Sequence, residues 1–281
     1  MVNTFIIGKK LIFSYMKKNK DLQAFYEAVY QKGETNYFSK FQEGNNRSET
    51  DEIVIKNLGD VSGKTILDVG CGTGALVRKI SELGPLRIKG IDYSETAIKQ
   101  AIETNSNELA SFEVFDFNTW TQKVDVIISC GTFEHMDAPS EMMVKMSSLL
   151  NPGGKLILTC PHFYNIRGVI WITLQKLLDV PMSLTDVHSI SPSDMAKWAK
   201  NAGIVLSQIE SFDYERGNGK WLIEDMKKRL TNALRDANLS NNKVDEMLNW
   251  VNDLIYYNEE TQAGIKLEGA TCLYLFENSG K

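Results

Sequence analysis

Three aspartates, a run of alternate glycines and three histidines are the residues of this chain best suited to chemistry. Asp68, Asp92 and Asp116 stand at the carboxyl ends of successive apolar runs, and Gly70, Gly72 and Gly74 follow the first of them. Glycines at alternate positions let the backbone take positive φ and let a ligand lie against the main chain. Asp68 would then meet a cationic group on that ligand. Asp92, eighteen residues past Gly74, is placed to accept hydrogen bonds from two ribose hydroxyls. Asp116, between Phe115 and Phe117, suits the edge and face of an adenine. The spacing Gly70-x-Gly72-x-x-Ala75 also satisfies a relaxed dinucleotide fingerprint, but a pyrophosphate would be repelled by Asp68. A nucleoside with a positive centre, such as S-adenosylmethionine, meets no such conflict.

The elements that must hold these residues are legible in the hydrophobic pattern. Ile66, Leu67 and Val69 form a strand, and Leu76, Val77 and Ile80 after the glycines have helical spacing, so 66–80 reads as strand, turn and helix. Further strands are expected over 87–92, 112–117, 124–130, 149–160 (through a Pro-Gly-Gly turn), 204–212 and 270–276. Ser191-Pro192-Ser193-Asp194 has the form of a helix start, leading to Met195, Trp198 and Ala199 and ended by Gly203. Leu22, Phe25, Tyr26, Val29 and Tyr30 share one face of an N-terminal helix. The stretch 217–269 is too long for a hairpin loop and carries helical patterns over 221–234 and 244–257.

With these landmarks in place, the chain resembles the class I S-adenosylmethionine-dependent methyltransferases, specifically the small-molecule branch with the D-V-G-C-G-T-G loop. The resemblance rests on Asp68 with its glycines, Asp92, Asp116, the segment Phe133-Glu134-His135-Met136 and the turn Asn151-Pro152-Gly153-Gly154, in that order. It spans roughly 58–209 and resumes in the last strand. It implies an α/β fold: a doubly wound, Rossmann-like sheet of seven strands with an antiparallel pair of sixth and seventh strands. The expected organisation is an N-terminal helical cap over 1–58 and a methyltransferase domain over 59–281. Within that domain lie a substrate-side insertion at 161–190 and a helical insertion at 217–269 that serves as substrate-binding element, lid or dimer contact. The implied cofactor is S-adenosylmethionine, leaving as S-adenosylhomocysteine, with contacts expected from Asp68, Gly70, Cys71, Gly72, Gly74, Asp92, Tyr93, Asp116, Phe117 and Cys130.

Open α/β sheets bind ligands at the carboxyl ends of their strands, and His135, His162 and His188 all fall on that side of the expected fold. Methyl transfer from a sulfonium is a displacement in which the protein chiefly positions and desolvates the reactants. A hydroxyl acceptor gains from a base, for which histidine is the usual side chain. His135 is the first candidate and His188 the second, while His162, Tyr164 and Arg167 are expected to grip the acceptor; Glu134 and Asp186 are carboxylate alternatives. The polar residues of 161–190 favour O-methylation of a hydroxyl on a small polar acceptor such as a sugar or nucleotide-linked sugar of surface polysaccharide. A quinone precursor or phenol is the alternative. A non-catalytic scaffold with the same fold and an NAD-dependent oxidoreductase are the readings from other classes.

Composition fits a cytoplasmic enzyme. The 281 residues carry a formal charge of −5 with scattered basic residues, which offers no footprint for a nucleic-acid backbone. Cys71, Cys130, Cys160 and Cys272 lack metal-ligand spacing, and no acidic cluster follows the fourth strand beyond Asp137, so no metal is expected. Gly8, Lys9 and Lys10 interrupt the apolar clusters of the first twenty residues, so no membrane span is expected. A homodimer is compatible with the helical insertion.

Overall fold

The apolar runs become the strands of one mixed sheet in the computed structural model, which describes residues 19–31, 46–180, 188–261 and 268–280. The strands are β1 (Thr65–Val69), β2 (Arg87–Asp92), β3 (Ala110–Val114), β4 (Val124–Cys130), β5 (Leu150–Pro161), β6 (Val205–Phe212) and β7 (Thr271–Glu277). Their order is β3-β2-β1-β4-β5-β7-β6. All neighbours are parallel except the β5–β7 and β6–β7 pairs. The strand order reverses between β1 and β4, which opens a crevice at their carboxyl ends.

Burial on both faces explains why the central strands read as continuous apolar runs rather than alternating ones. Along β1, Ile66 packs into one core and Leu67 and Val69 into the other; along β4, Val126 and Ile128 face one side and Ile127 the opposite one. Helix α1 (Asn19–Gln31) packs on α4 (Glu95–Asn105), and α2 (Asn46–Leu58) sends Val54 and Leu58 into a core beneath the sheet. Helix α3 (Ala75–Ser81) follows the glycine loop, and α5 (Pro139–Ser148) and α7 (Pro192–Asn201) cover the opposite face. The expected start at Ser191 is a capping box, with Ser191 accepting from the Asp194 N–H and the Asp194 carboxylate accepting from the Ser191 N–H.

The remaining helices build a third core. α6 (Ile166–Leu178) lies between β5 and α7; α8 (Tyr214–Asn218), α9 (Lys220–Asp236) and α10 (Val244–Thr261) lie between β6 and β7. Trp171 of α6 is enclosed with Leu222, Met226 and Leu230 of α9 and Val244, Leu248, Val251 and Ile255 of α10. The two insertions read separately from the sequence therefore pack as one helical unit. Among the described residues, no helix is long and apolar enough to cross a membrane.

One boundary departs from expectation. β3 ends at Val114, so Asp116 lies beyond the strand, where its carboxylate accepts from the Asn118 N–H at 2.9 Å and caps a 3-10 turn over Phe117–Thr119. A short polar side chain that can bond the backbone two residues on favours a turn over a strand.

Candidate active site

A cavity of about 760 Å³ runs along the carboxyl edge of the sheet, within the size range of small-molecule and cofactor sites. Over β1, β2 and β3 it is lined by Asp68, Gly70, Cys71, Gly72, Asp92, Tyr93, Asp116 and Phe117. Over β4, β5 and β7 it is lined by Cys130, Thr132, Glu134, His135, Met136, Met142, Thr159, Cys160, Pro161 and Thr271. Helix α1 contributes Leu22, Gln23, Tyr26 and Tyr30, α2 contributes Thr50 and Asp51, and α8 contributes Arg216.

The glycine loop has the geometry its residues require. Gly70, Gly72 and Gly74 all have positive φ, at 78°, 55° and 82°. The Gly70 and Cys71 N–H groups both donate to the Ile91 carbonyl, at 2.8 and 3.1 Å, which folds the loop back onto β2. A Cβ on Gly70 would stand 2.4 Å from Thr132 Oγ1, and one on Gly74 would stand 2.4 Å from the Phe112 ring. Gly74 is thus needed by the protein's own packing: it caps α3 in the left-handed conformation, and it is not among the described residues that line the cavity. Ala75 and Leu76, next in the chain, do line it.

Asp92 is held by backbone donors on both carboxylate oxygens. Oδ2 accepts from the Gly72 N–H at 3.0 Å and Oδ1 from the Ser94 N–H at 2.9 Å. Burial pushes its pKa above the ordinary aspartate value, against the lowering effect of these N–H donors. Asp68 is also buried. Burial pushes up the thiols of Cys71 and Cys130 and the phenol of Tyr93 as well, so all three face the cavity uncharged near neutral pH.

The residues that sequence reasoning missed come mainly from α1. Glu27 accepts from Ser94 Oγ at 2.6 Å and from the Thr96 hydroxyl, and Gln23 Nε2 donates to the Tyr93 carbonyl at 3.3 Å. These bonds lock α1 over the start of α4, and Tyr26 then reaches down to His135, with 3.2 Å between its hydroxyl and Nε2. The Tyr26 ring also lies against that of Tyr93, centroids 6.4 Å apart. The apolar spacing of α1 led to the expectation of a cap over the cleft, yet nothing local signalled which polar residues fasten it.

The residues expected on the substrate side divide sharply. His135 lines the cavity, whereas His162, Tyr164, Arg167 and His188 are absent from its described lining. After Pro161 the chain turns away. Asn165 Nδ2 donates to the carbonyls of His162 and Gly269, and its Oδ1 caps α6 through the Gly168 N–H. His162 is buried beside Tyr164, ring centroids 5.0 Å apart, and burial lowers its pKa. Tyr164 itself is exposed. Arg167 is buried and pairs with Asp225 of α9 at 3.2 Å, where Arg229 also binds at 2.7 Å. This pair ties α6 to α9 within the helical insertion. His188 precedes α7, next to Ser189, whose hydroxyl bonds Gln175 of α6; Asp186 lies outside the described residues.

The arrangement meets the needs of an adenosine-bearing cofactor on three counts. Left-handed glycines expose backbone at the β1–α3 turn, a buried Asp68 and a half-buried Asp92 stand at the ends of β1 and β2, and Asp116 with Phe117 closes the far side. Comparison with known proteins agrees. A family model described as a methyltransferase domain matches residues 60–261. The ubiquinone biosynthesis O-methyltransferase of Nitrosococcus oceani is 27% identical over 173 residues, which are 57% of this chain and 71% of that protein. Among solved structures, a chain of the Haloferax volcanii complex between the Trm112 methyltransferase activator and its methyltransferase aligns with a TM-score of 0.61 at 16% identity, covering 90% of this chain and 97% of that one. The magnesium protoporphyrin IX methyltransferase of Synechocystis PCC 6803, with bound S-adenosylhomocysteine, aligns at 0.53 and 19% identity over 73% of this chain and 93% of that one. Matched over most of its length by the methyltransferase-domain model, the chain belongs to that family and is a class I S-adenosylmethionine-dependent methyltransferase.

Proposed function

We propose that this enzyme O-methylates a phenolic acceptor of the quinone-precursor type. The observation that carries the reading is the lining of the acceptor side of the cavity: Met136, Met142, Cys160 and Pro161 around His135, with Arg216 the only lysine or arginine among the described lining residues. A nucleotide-linked sugar brings a diphosphate, which calls for several cationic or N–H donors. Of the polar residues that favoured a sugar, His162, Tyr164, Asn165, Arg167 and His188 are spent on internal bonds or are absent from the described lining of the cavity, and Asp186 lies outside the described residues. The relatives named as ubiquinone biosynthesis O-methyltransferases support the same choice.

In this reading Asp68 faces the amino end of the cofactor, Asp92 accepts from both ribose hydroxyls, and Asp116 with Phe117 holds the adenine. The bound cofactor supplies an electrophilic methyl group, and the protein's task is alignment and exclusion of water. His135 would take the proton of the acceptor hydroxyl, leaving that oxygen able to accept the methyl group that the cofactor would supply. Tyr26 holds the His135 imidazole in its working orientation. Residues of α1 cap the bound cofactor.

The test is methyl transfer from labelled S-adenosylmethionine to catechol and 3,4-dihydroxybenzamide, run beside nucleotide sugars and phosphosugars. Turnover on the catechols with none on the sugars is expected; turnover confined to a sugar would overturn the assignment.

A further inference from the structure

We propose that Arg216 is the specificity residue of the acceptor site and that it pairs with a carboxylate on the acceptor, so that the preferred substrate is an anionic phenol. The inference rests on the phenolic reading above and names the substrate class within it.

Arg216 reaches the cavity because of how the chain leaves β6. Asp213 takes the left-handed conformation, φ 63° and ψ 49°, which is uncommon for a non-glycine residue and turns α8 back over the sheet edge. Three bonds fix that turn. The Asp213 N–H donates to Glu49 of α2 at 3.2 Å, and its carbonyl accepts from the Gly217 N–H at 3.2 Å and from the Ala270 N–H at 3.0 Å. A Cβ on Gly269 would lie 1.7 Å from the Phe212 carbonyl oxygen, so the strand ends are in direct backbone contact. Arg216 is therefore carried on a rigid platform. Its Nε stands 3.5 Å from Asp213 Oδ2, and a guanidinium has five N–H donors in a fixed fork.

The position suits an acceptor substituent. The cofactor carboxylates stand over β1, β2 and β3, whereas Arg216 shares the other half of the cavity with His135, Pro161 and Thr271. An aromatic ring presenting a hydroxyl to His135 would direct a second substituent toward this end. Charge selects which substituent. Arg216 is close enough to Arg167 for the two charges to interact, with Arg167 paired to Asp225 and the Arg216 Nε to Asp213. The cavity also holds Glu134 and Asp51, the latter paired with Lys79 at 2.7 Å. One fork-shaped cation among carboxylates matches a monoanionic carboxylate bidentately; a phosphate dianion would ask for more donors and meet more repulsion.

The experiment compares matched ligands: 3,4-dihydroxybenzoate, its neutral amide, and the corresponding aryl phosphate, each titrated by calorimetry into the protein saturated with S-adenosylhomocysteine. The benzoate is expected to bind about tenfold or more tighter than the amide. That preference should vanish in Arg216→Gln and return in part in Arg216→Lys, with S-adenosylhomocysteine affinity showing that each variant is folded. Equal binding of benzoate and amide, or a preference that survives in Arg216→Gln, would overturn the proposal. Tighter binding of the phosphate than of the benzoate would overturn the carboxylate assignment. Binding is read without turnover, so a failure here is separable from a failure of the phenolic reading, which would show as absence of methyl transfer to any catechol.

Discussion

The Tyr26 hydroxyl, carried by α1, lies 3.2 Å from Nε2 of His135, which is carried by the 3-10 turn after β4. The two residues are 109 positions apart in sequence, and their contact depends on Glu27 holding α1 to Ser94 and Thr96. In the proposed reading, this cap would couple cofactor coverage to the chemistry at His135.

If His135 is the base, His135→Ala should lower turnover by about 10² to 10⁴-fold with cofactor affinity nearly retained. Tyr26→Phe keeps the ring against Tyr93 and removes only the hydroxyl, so a loss of about tenfold in kcat is expected. Steady-state kinetics on both variants and on the double variant checks this. In the double variant the loss should match that of His135→Ala alone, because the hydroxyl acts through the imidazole; additive losses would break the link.

Asp92 is the proposed acceptor for the cofactor's ribose hydroxyls. Asp92→Ala should weaken S-adenosylmethionine binding by about 2 to 3 kcal/mol through loss of a charge-assisted acceptor. Burial holds the Asp92 pKa above the usual aspartate value, so its carboxylate is protonated at a higher pH than an exposed one. Cofactor affinity in the wild type should therefore fall as pH drops through that raised pKa, above 3.8, while Asp92→Ala shows no such limb. Calorimetric titrations at descending pH decide the matter, and a flat wild-type profile would rule it out.

The glycine loop should tolerate no side chain at two positions, for different reasons. Gly70→Ala forces a methyl onto Thr132 at a φ of 78°, and Gly74→Ala forces one onto the Phe112 ring at 82°. Each should lower stability by about 1 to 3 kcal/mol. Replacing Phe112 by Leu in the Gly74→Ala background should recover part of that loss, as read by denaturant unfolding; no recovery would mean the strain is purely in the backbone angle.

Asp225 should be the structural keystone of the helical insertion. Removing it as Asp225→Ala leaves Arg167 buried without its carboxylate and should cost about 3 to 5 kcal/mol. Burial alone would raise the Asp225 pKa, but the charges of Arg167 and Arg229 outweigh it and hold the pKa below 3.8. A depressed folded-state pKa contributes stability that is present above the unfolded value and lost as pH falls below about 3.8 toward the folded value. Acid unfolding of the wild type should steepen in that window. Asp225→Asn should remove the steepening.

What the sequence determined by itself was everything encoded within one strand-turn-helix unit. The loop at Gly70 and Gly72, the carboxylates Asp68 and Asp92 at strand ends and the Ser191 capping box follow from local periodicity and turn chemistry, because each is settled by residues a few positions apart; the antiparallel pairing of the last strand was implied by the family resemblance instead. Only the tertiary structure decided which side chains face the cavity. His135 and His162 both follow a strand on the same sheet edge, yet the Asn165 cap on α6 pulls His162 out of the lining while His135 stays in it. Only the fold places Asp225, 58 residues on, beside Arg167. Tyr26 and Arg216 enter the site from opposite ends of the chain, through a salt-free lock at Glu27 and a left-handed turn at Asp213. Direction of a side chain at an element's end depends on packing partners remote in sequence, and local pattern carries no information about them.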